Sequence, residues 1–576
     1  MKRFVKYLAV TAAMFIATSP LAARTYDYPI KGVRGEYSAS FGEMRENHFH
    51  SGIDIKTDGV EGKAVVAVAD GYVSRISLTP SGYGLAIYIT HPSLGTMSVY
   101  GHLSRLRKDL SDYLTSERYA RQANRLSLFP RADRFMVERG DTIGFSGNSG
   151  MSFGPHLHFE LRNRHGDFTR NCIAEHHITP HDDIAPELLR LHYIAIDTLR
   201  RAATEQLAWS RTPIRTERGY ELRGEMPVGK CGYFVIETRD RRNGVYNRFG
   251  IYRVTCSIDN QEVFGYKIDS FAFADTRHCN IVSYFPRQIK AECEALRLVR
   301  TAEAPSYLYH CDVDGGILRS AERERHSIDI EVADECGNTS HLRFTTRGRT
   351  PNAAIVTSDE MEQELVGGAR QMWVERDNAR VMFPSHSLYR PLVCHIEPLD
   401  EQPTIDSTLI VLSAGYRILS DTIPLRRGVK LALRADIPLH LQRGACIAIK
   451  SHKGKYSYLG GSYNGEAVAT TTRRLGDVMI VADTTAPRIV PRFKQGADMR
   501  GVRELRFVVS DNFSGVRNYS LAIDGEWRTL DYYPVRRTMQ HTFDRPLSKR
   551  GAMHDIELIV EDCCGNRKVW HGKIFR

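Results

Sequence analysis

Gly154-Pro155-His156-Leu157-His158-Phe159-Glu160 reads as a strand with one apolar and one polar face. Strand side chains alternate with period two, so Leu157 enters the core while His156 and His158 share the opposite side, with Glu160 in line. Two imidazoles side by side are costly to bury unless something accepts them, and a divalent metal is the usual acceptor. Alone, the pair is equally readable as two hydrogen-bonded histidines. Three more segments, each bordered by glycine, change that balance: His50-Ser51-Gly52-Ile53-Asp54, Tyr100-Gly101-His102-Leu103-Ser104 and Gly144-Phe145-Ser146-Gly147-Asn148-Ser149-Gly150. Neutral imidazole and carboxylate are ordinary zinc ligands, and a catalytic zinc keeps three protein ligands and one open position. His50, Asp54 and one of the two strand histidines would supply that set.

In order and content these segments resemble the lysostaphin-type M23 zinc metallopeptidases, which cut peptide cross-links of bacterial cell walls. The resemblance spans roughly residues 34–180, opening with Phe41-Gly42 and including the hairpin from Gly82-Tyr83-Gly84 to His91. It implies a compact antiparallel β domain with a groove over one Zn2+ held by His50, Asp54 and His158. His102 and His156 are then the catalytic residues beside the metal. The implied activity is a zinc-dependent metalloendopeptidase hydrolysing peptide bonds in peptidoglycan stem peptides or cross-links, using a zinc-activated water and the two histidines. No HExxH helix is present, so no glutamate base is expected. Several neighbours are discounted. Glu160 is as readable as a solvated edge charge as it is as a support for a ligand. His48 reads as a loop residue, His91 as structural, His176-His177 and His181 as a connecting segment, and Asn148-Ser149 as turn chemistry.

The rest of the chain is expected to be mainly β. Residues 24–185 form the peptidase domain. Leu106, Leu110, Tyr113 and Leu114 recur at helical spacing, so about 106–138 reads as a helical insertion directly after His102, placed at the groove edge where it restricts access. Behind it, Ser327–Asn338 and Asp555–Asn566 repeat an alternating strand followed by a V-x-D-x-C-G-N turn. Asp240…Gly244-Val245 likewise pairs with Asp511…Gly515-Val516. Alternation with closely spaced turns predicts Ig-like β-sandwiches at 186–350 and 483–576, the latter entered through Asp483-Thr484-Thr485-Ala486-Pro487, with another β domain at 351–482. These modules carry no catalytic constellation and read as spacers or binding platforms, with other cell-envelope proteins as candidate partners.

Residues 1–23 show a basic start, a short apolar stretch and a small-residue end, the layout of a secretory signal peptide. Export to the periplasm or cell envelope follows. No later stretch is apolar enough for a transmembrane segment in the mature chain. At 576 residues, 42% hydrophobic and 26% charged, the chain is neither a multi-pass membrane protein nor disordered. A net charge of +11 favours anionic surfaces. No basic run interleaved with aromatics marks a nucleic-acid site. Eleven cysteines in an oxidising compartment imply some pairing, and the odd count leaves at least one free. Two other readings differ in class: a non-catalytic envelope regulator that activates other wall hydrolases, and an adhesive protein with a vestigial front domain.

Overall fold

The computed structural model describes residues 26–175, 177–178, 180–197, 204–289, 293–349, 365–400 and 405–576. The signal-peptide segment and His176 lie outside these. The front of the chain builds one antiparallel sheet from β1 (Tyr37–Ala39), β2 (Ile53–Lys56), β3 (Gly71–Leu78), β4 (Leu85–His91), β5 (Thr96–Leu103), β6 (Leu126–Leu128) and β7 (His156–Asn163), in the order β1-β2-β7-β5-β4-β3-β6. β7 is central, flanked by β2 and β5. Its odd positions Leu157, Phe159 and Leu161 are buried in the apolar core, as the alternation requires.

Close strand approach depends on glycine at two places. A side chain at Gly52 would put a Cβ 2.2 Å from the Phe159 carbonyl oxygen and 2.7 Å from the Glu160 Cγ. Gly101, opposite His158 in register, leaves the imidazole its room, since a Cβ there would lie 3.3 Å from the His158 Cβ. Gly52→Ala must therefore push β2 from β7. The expected loss is about 1–3 kcal/mol or more, read as a lowered denaturation midpoint. An unchanged midpoint would show that the strands have slack.

The insertion contains α1 (Lys108–Arg121), which buries Leu110, Leu114 and Arg118 and ends on Gln122 in a left-handed conformation at φ 45°. Its position differs from expectation. Rather than edging the groove, it turns toward the last module. Arg118 pairs with Asp531 at 2.9 Å, the Tyr119 hydroxyl donates to Asp544 at 2.6 Å, and the Tyr119 ring meets Trp527 edge-on. Arg118 and Tyr119 of α1, and Arg125 just beyond it, find their partners in residues 517–545.

Behind the front sheet the described residues are mainly β, with only short helical turns such as Cys279–Val282 and Phe285–Gln288. A five-stranded and a seven-stranded sheet share a core that is continuous with that of the front domain. Strand β8 (Phe168–Arg170) even pairs with β9 (Ser270–Ala272), extending the front sheet into the following module. Val366–Ala482 and Ile489–Ile574 contain two further cores, each between two sheets. Among the described residues no helix is long and apolar enough to cross a membrane. All eleven cysteines are free thiols, against the expectation that some pair. Most lie apart in separate strands and loops, although Cys446 and Cys564 meet in one small apolar cluster.

Buried Glu237 accepts from His192 at 2.9 Å and from Arg287 at 2.6 Å. Burial alone would raise its pKa, but the two donors lower it to about 2. A depressed carboxylate stabilises the fold above its unfolded value and loses that contribution as pH falls through the folded one. Wild-type stability should thus decline from pH 4.5 towards 2 more steeply than that of Glu237→Gln, as measured by denaturant midpoints across that range. Parallel curves would remove Glu237 as a source of acid sensitivity.

Candidate metal centre

Register brings the first three residues together. In the β2–β7 ladder His158 faces Asp54 directly, and His50 enters from the turn before β2. His50 Nε2 lies 3.2 Å from Asp54 Oδ1 and 3.1 Å from His158 Nδ1, and His158 Nδ1 lies 2.9 Å from Asp54 Oδ1. All three residues are largely enclosed.

Each imidazole has its tautomer fixed from behind. The His50 Nδ1 donates to the Ser40 carbonyl at 2.7 Å, leaving Nε2 bare. The His158 Nε2 donates to Glu160 at 2.7 Å, which turns Nδ1 towards Asp54 and His50. His102 Nδ1 donates to the Ser149 carbonyl at 2.8 Å and His156 Nδ1 to the Gly154 carbonyl at 2.9 Å, leaving their Nε2 atoms bare. Since carbonyl and carboxylate oxygens only accept, the proton sits on the rear nitrogen in every case. Asp54 Oδ1, His50 Nε2 and His158 Nδ1 thus converge within 3.2 Å; without a metal His158 Nδ1 donates a second proton to Asp54, and a zinc ion would take the place of that proton. Ligand atoms about 2.0–2.1 Å from a tetrahedral zinc stand about 3.3–3.4 Å apart, so the cluster is close to the right size. The donor set of two nitrogens and one carboxylate oxygen fits a zinc ion.

Charge follows the same geometry. Burial would raise the Asp54 carboxyl, but His50, His156 and His158 hold it well below the usual carboxylate range. For His158 burial works downward, and hydrogen bonds to Asp54 and Glu160 carry it up to about 9. His102 falls to about 3, first through burial and then through repulsion from His156 and His158, so it stays neutral near pH 7. His102 also takes a left-handed φ of 59°, uncommon for a residue with a Cβ, and is held there by its N–H bond to the Tyr83 carbonyl at 2.8 Å. Its ring centre lies 4.6 Å from that of His156, and His156 Nε2 lies 3.6 Å from Asp54 Oδ1.

The five predicted residues therefore share one site, at the floor of a cleft of about 1130 Å³. Of the neighbours, His91 is structural, its ring bonded to the Asp70 carbonyl and to Ser98. His177 packs on Tyr26 and pairs with Glu175. Ser149 supports His102 through its carbonyl. Glu160 corrects the reading of a solvated edge charge. It is fully buried and accepts from His158, Ser51, Tyr83 and Arg162 at 2.5–2.7 Å. Its place on the histidine face was visible in the alternation, but partners from Ser51 and Tyr83 depend on the tertiary fold. Tyr246 and Asn247, unremarked in the sequence, reach the cleft from the following module and form part of its wall.

Part of the chain is similar to known proteins. Residues 48–119, which include His50, Asp54 and His102, match the model of peptidase family M23, and residues 363–483 match a Zu5-like domain. An uncharacterized metalloprotease of Haemophilus influenzae is 31% identical over 112 residues, 19% of this chain and 18% of that protein. The DD-carboxypeptidase/endopeptidase Mpg of Neisseria meningitidis is 34% identical over 113 residues, 20% of each. The chain thus spans about a fifth of the length of these curated relatives. Among solved structures, the catalytic domain of lysostaphin from Staphylococcus simulans is 20% identical, aligned over 24% of this chain and 89% of that one with a TM-score of 0.18. Residues 48–119 therefore belong to a peptidase family M23 domain.

Proposed function

We propose that the chain is an exported zinc metalloendopeptidase that hydrolyses peptide bonds in peptidoglycan stem peptides or cross-links. The observation that carries this reading is the convergence of three metal-ligand atoms, from His50, Asp54 and His158, beneath an open cleft that also holds the Nε2 atoms of His102 and His156. When bound, zinc supplies Lewis acidity towards the scissile carbonyl and lowers the pKa of water.

The chain's own residues do the rest. His102 is neutral near pH 7 and aims no proton from Nε2, so that atom is free to take a proton from the attacking water. His156, steadied at Nδ1 by Gly154 and Ser152, presents Nε2 on the same side, and the proton that His102 takes from the water is passed on through it to the leaving amine, which leaves both imidazoles neutral again. Asp54 balances charge between the imidazoles and stays ionised. Phe153 and Tyr246, both more than four-fifths exposed, stand at the cleft and offer apolar surface to a peptide.

The test is incubation of the purified chain with intact sacculi, with and without a zinc chelator, followed by muropeptide separation. Loss of cross-linked species that the chelator prevents supports the reading, and the new termini name the bond. Unchanged muropeptides from zinc-loaded protein would sink it.

A further inference from the structure

Away from the histidines, two carboxylate clusters occupy equivalent places. Asp182, Asp240 and Asp334 bring one oxygen each within 4.8 Å of one another, and so do Asp483, Asp511 and Asp562. In both, the first aspartate opens a D-x-x-A-P linker: Asp182-Asp183-Ile184-Ala185-Pro186 leads out of the peptidase domain, and Asp483-Thr484-Thr485-Ala486-Pro487 leads into the last module. The second comes from the D…G-V loop and the third from the D-x-C-G-N turn. Even the scaffolding repeats. Asn338 Nδ2 donates to the Asp182 carbonyl at 3.2 Å and Asn566 Nδ2 to the Asp483 carbonyl at 2.9 Å.

Repetition and acidity alone do not make a site; the unmet hydrogen-bonding capacity does. Asp240 is fully buried, yet neither of its carboxylate oxygens has a partner. Asp182 Oδ2 and Asp511 Oδ1 are buried without partners, as is the hydroxyl of Ser514, whose N–H donates to Asp483. A buried carboxylate with no donor is expensive. Besides the aspartates, Glu335 and Arg242 act on Asp240, but Arg242 spends Nη2 on Glu335, and its Nε and Nη1 make no hydrogen bond. At the other junction the charges acting on Asp511 are those of Asp483 and Asp562, and both oppose its ionisation.

We propose that each junction binds one calcium ion through its three aspartates, tying the linker to two loops of the module that follows. The donor set is entirely oxygen, the preference of a hard cation. Oxygen ligands about 2.3–2.6 Å from one such ion are never more than about 5 Å apart, as in both clusters. Asp240 also bridges to Phe249, closing the loop that carries Tyr246 and Asn247 to the peptidase cleft. The first ion therefore fixes a wall of that cleft as well as the junction.

The test titrates Ca2+ into the full chain by calorimetry, after stoichiometric zinc has filled the histidine centre and excess metal has been removed. Two equivalents should bind. Asp240→Asn and Asp511→Asn should each remove one, and the double variant both. Melting curves in calcium chelator separate a lost ligand from a folding defect. There the Asn variants should melt at or above the wild-type temperature, because each loses a buried repulsive charge, whereas only wild type should gain on adding calcium. Fewer than two equivalents at 1 mM Ca2+ (about the affinity floor of extracellular sites), or a calcium-induced rise that persists in the double variant, overturns the proposal.

Discussion

Replacing His158 by alanine is expected to leave a folded chain that no longer retains zinc and hydrolyses wall peptides at least about 10³-fold more slowly, since the metal's contribution is several kcal/mol. His158 Nδ1 is one of three atoms facing each other across 2.9–3.2 Å, and the other two do not close over its absence because both belong to turn and strand backbones fixed by the β2–β7 ladder. The informative comparison is His102→Ala. His102 stands beside the cluster, so that variant should keep stoichiometric zinc while losing about 10²–10⁴-fold in kcat, the usual contribution of a general base. Metal analysis of the two proteins side by side separates a ligand from a base. Full zinc occupancy and full activity in His158→Ala would refute the assignment. Loss of zinc from His102→Ala would place that residue among the ligands instead.

The parts of this site that were legible in the sequence are those set by local rules. Strand alternation put His156, His158 and Glu160 on one face, whereas the joining of His50 and Asp54 to that face was an implication of the family resemblance, not of a local rule. What local rules do not reach is which polar residues end up without water. Glu160 looks like any strand-end carboxylate until Ser51 and Tyr83 close over it from segments 109 and 77 residues away. The insertion shows the same limit. Helical spacing located α1, but its direction is decided by the partners of Arg118 and Tyr119, which lie some 400 residues downstream. The repeated D…G-V and D-x-C-G-N turns were readable as sandwich chemistry. That their aspartates meet the aspartates of two linkers is a property of the junctions rather than of either turn.

Glu160→Gln is expected to weaken zinc binding by about 10–100-fold without touching a ligand, the usual effect of losing the group that orients a metal-bound imidazole. Burial opposes ionisation of Glu160, but Arg162 and His158 hold its carboxyl well below the usual range, so it is charged at neutral pH. One oxygen takes the His158 Nε2 proton and thereby keeps Nδ1 turned towards Asp54 and His50; the other accepts from the Arg162 Nε at 2.6 Å. An amide can still accept from His158, but only by turning its NH2 towards the guanidinium, where two donors conflict. The buried Arg162 charge is then uncompensated, and stability should fall by about 3–5 kcal/mol. That loss alone would make any defect ambiguous, so the second variant removes the conflict. In Glu160→Gln/Arg162→Met the unpaired charge is gone and the methionine still packs against Tyr88 and Phe273, where the guanidinium now lies. Stability should return towards wild type, while zinc affinity, measured against a competing chelator at a temperature where all forms are folded, should stay low. Recovery of both together would reduce Glu160 to a structural residue. Recovery of stability alone would show that its carboxylate positions His158 for the metal.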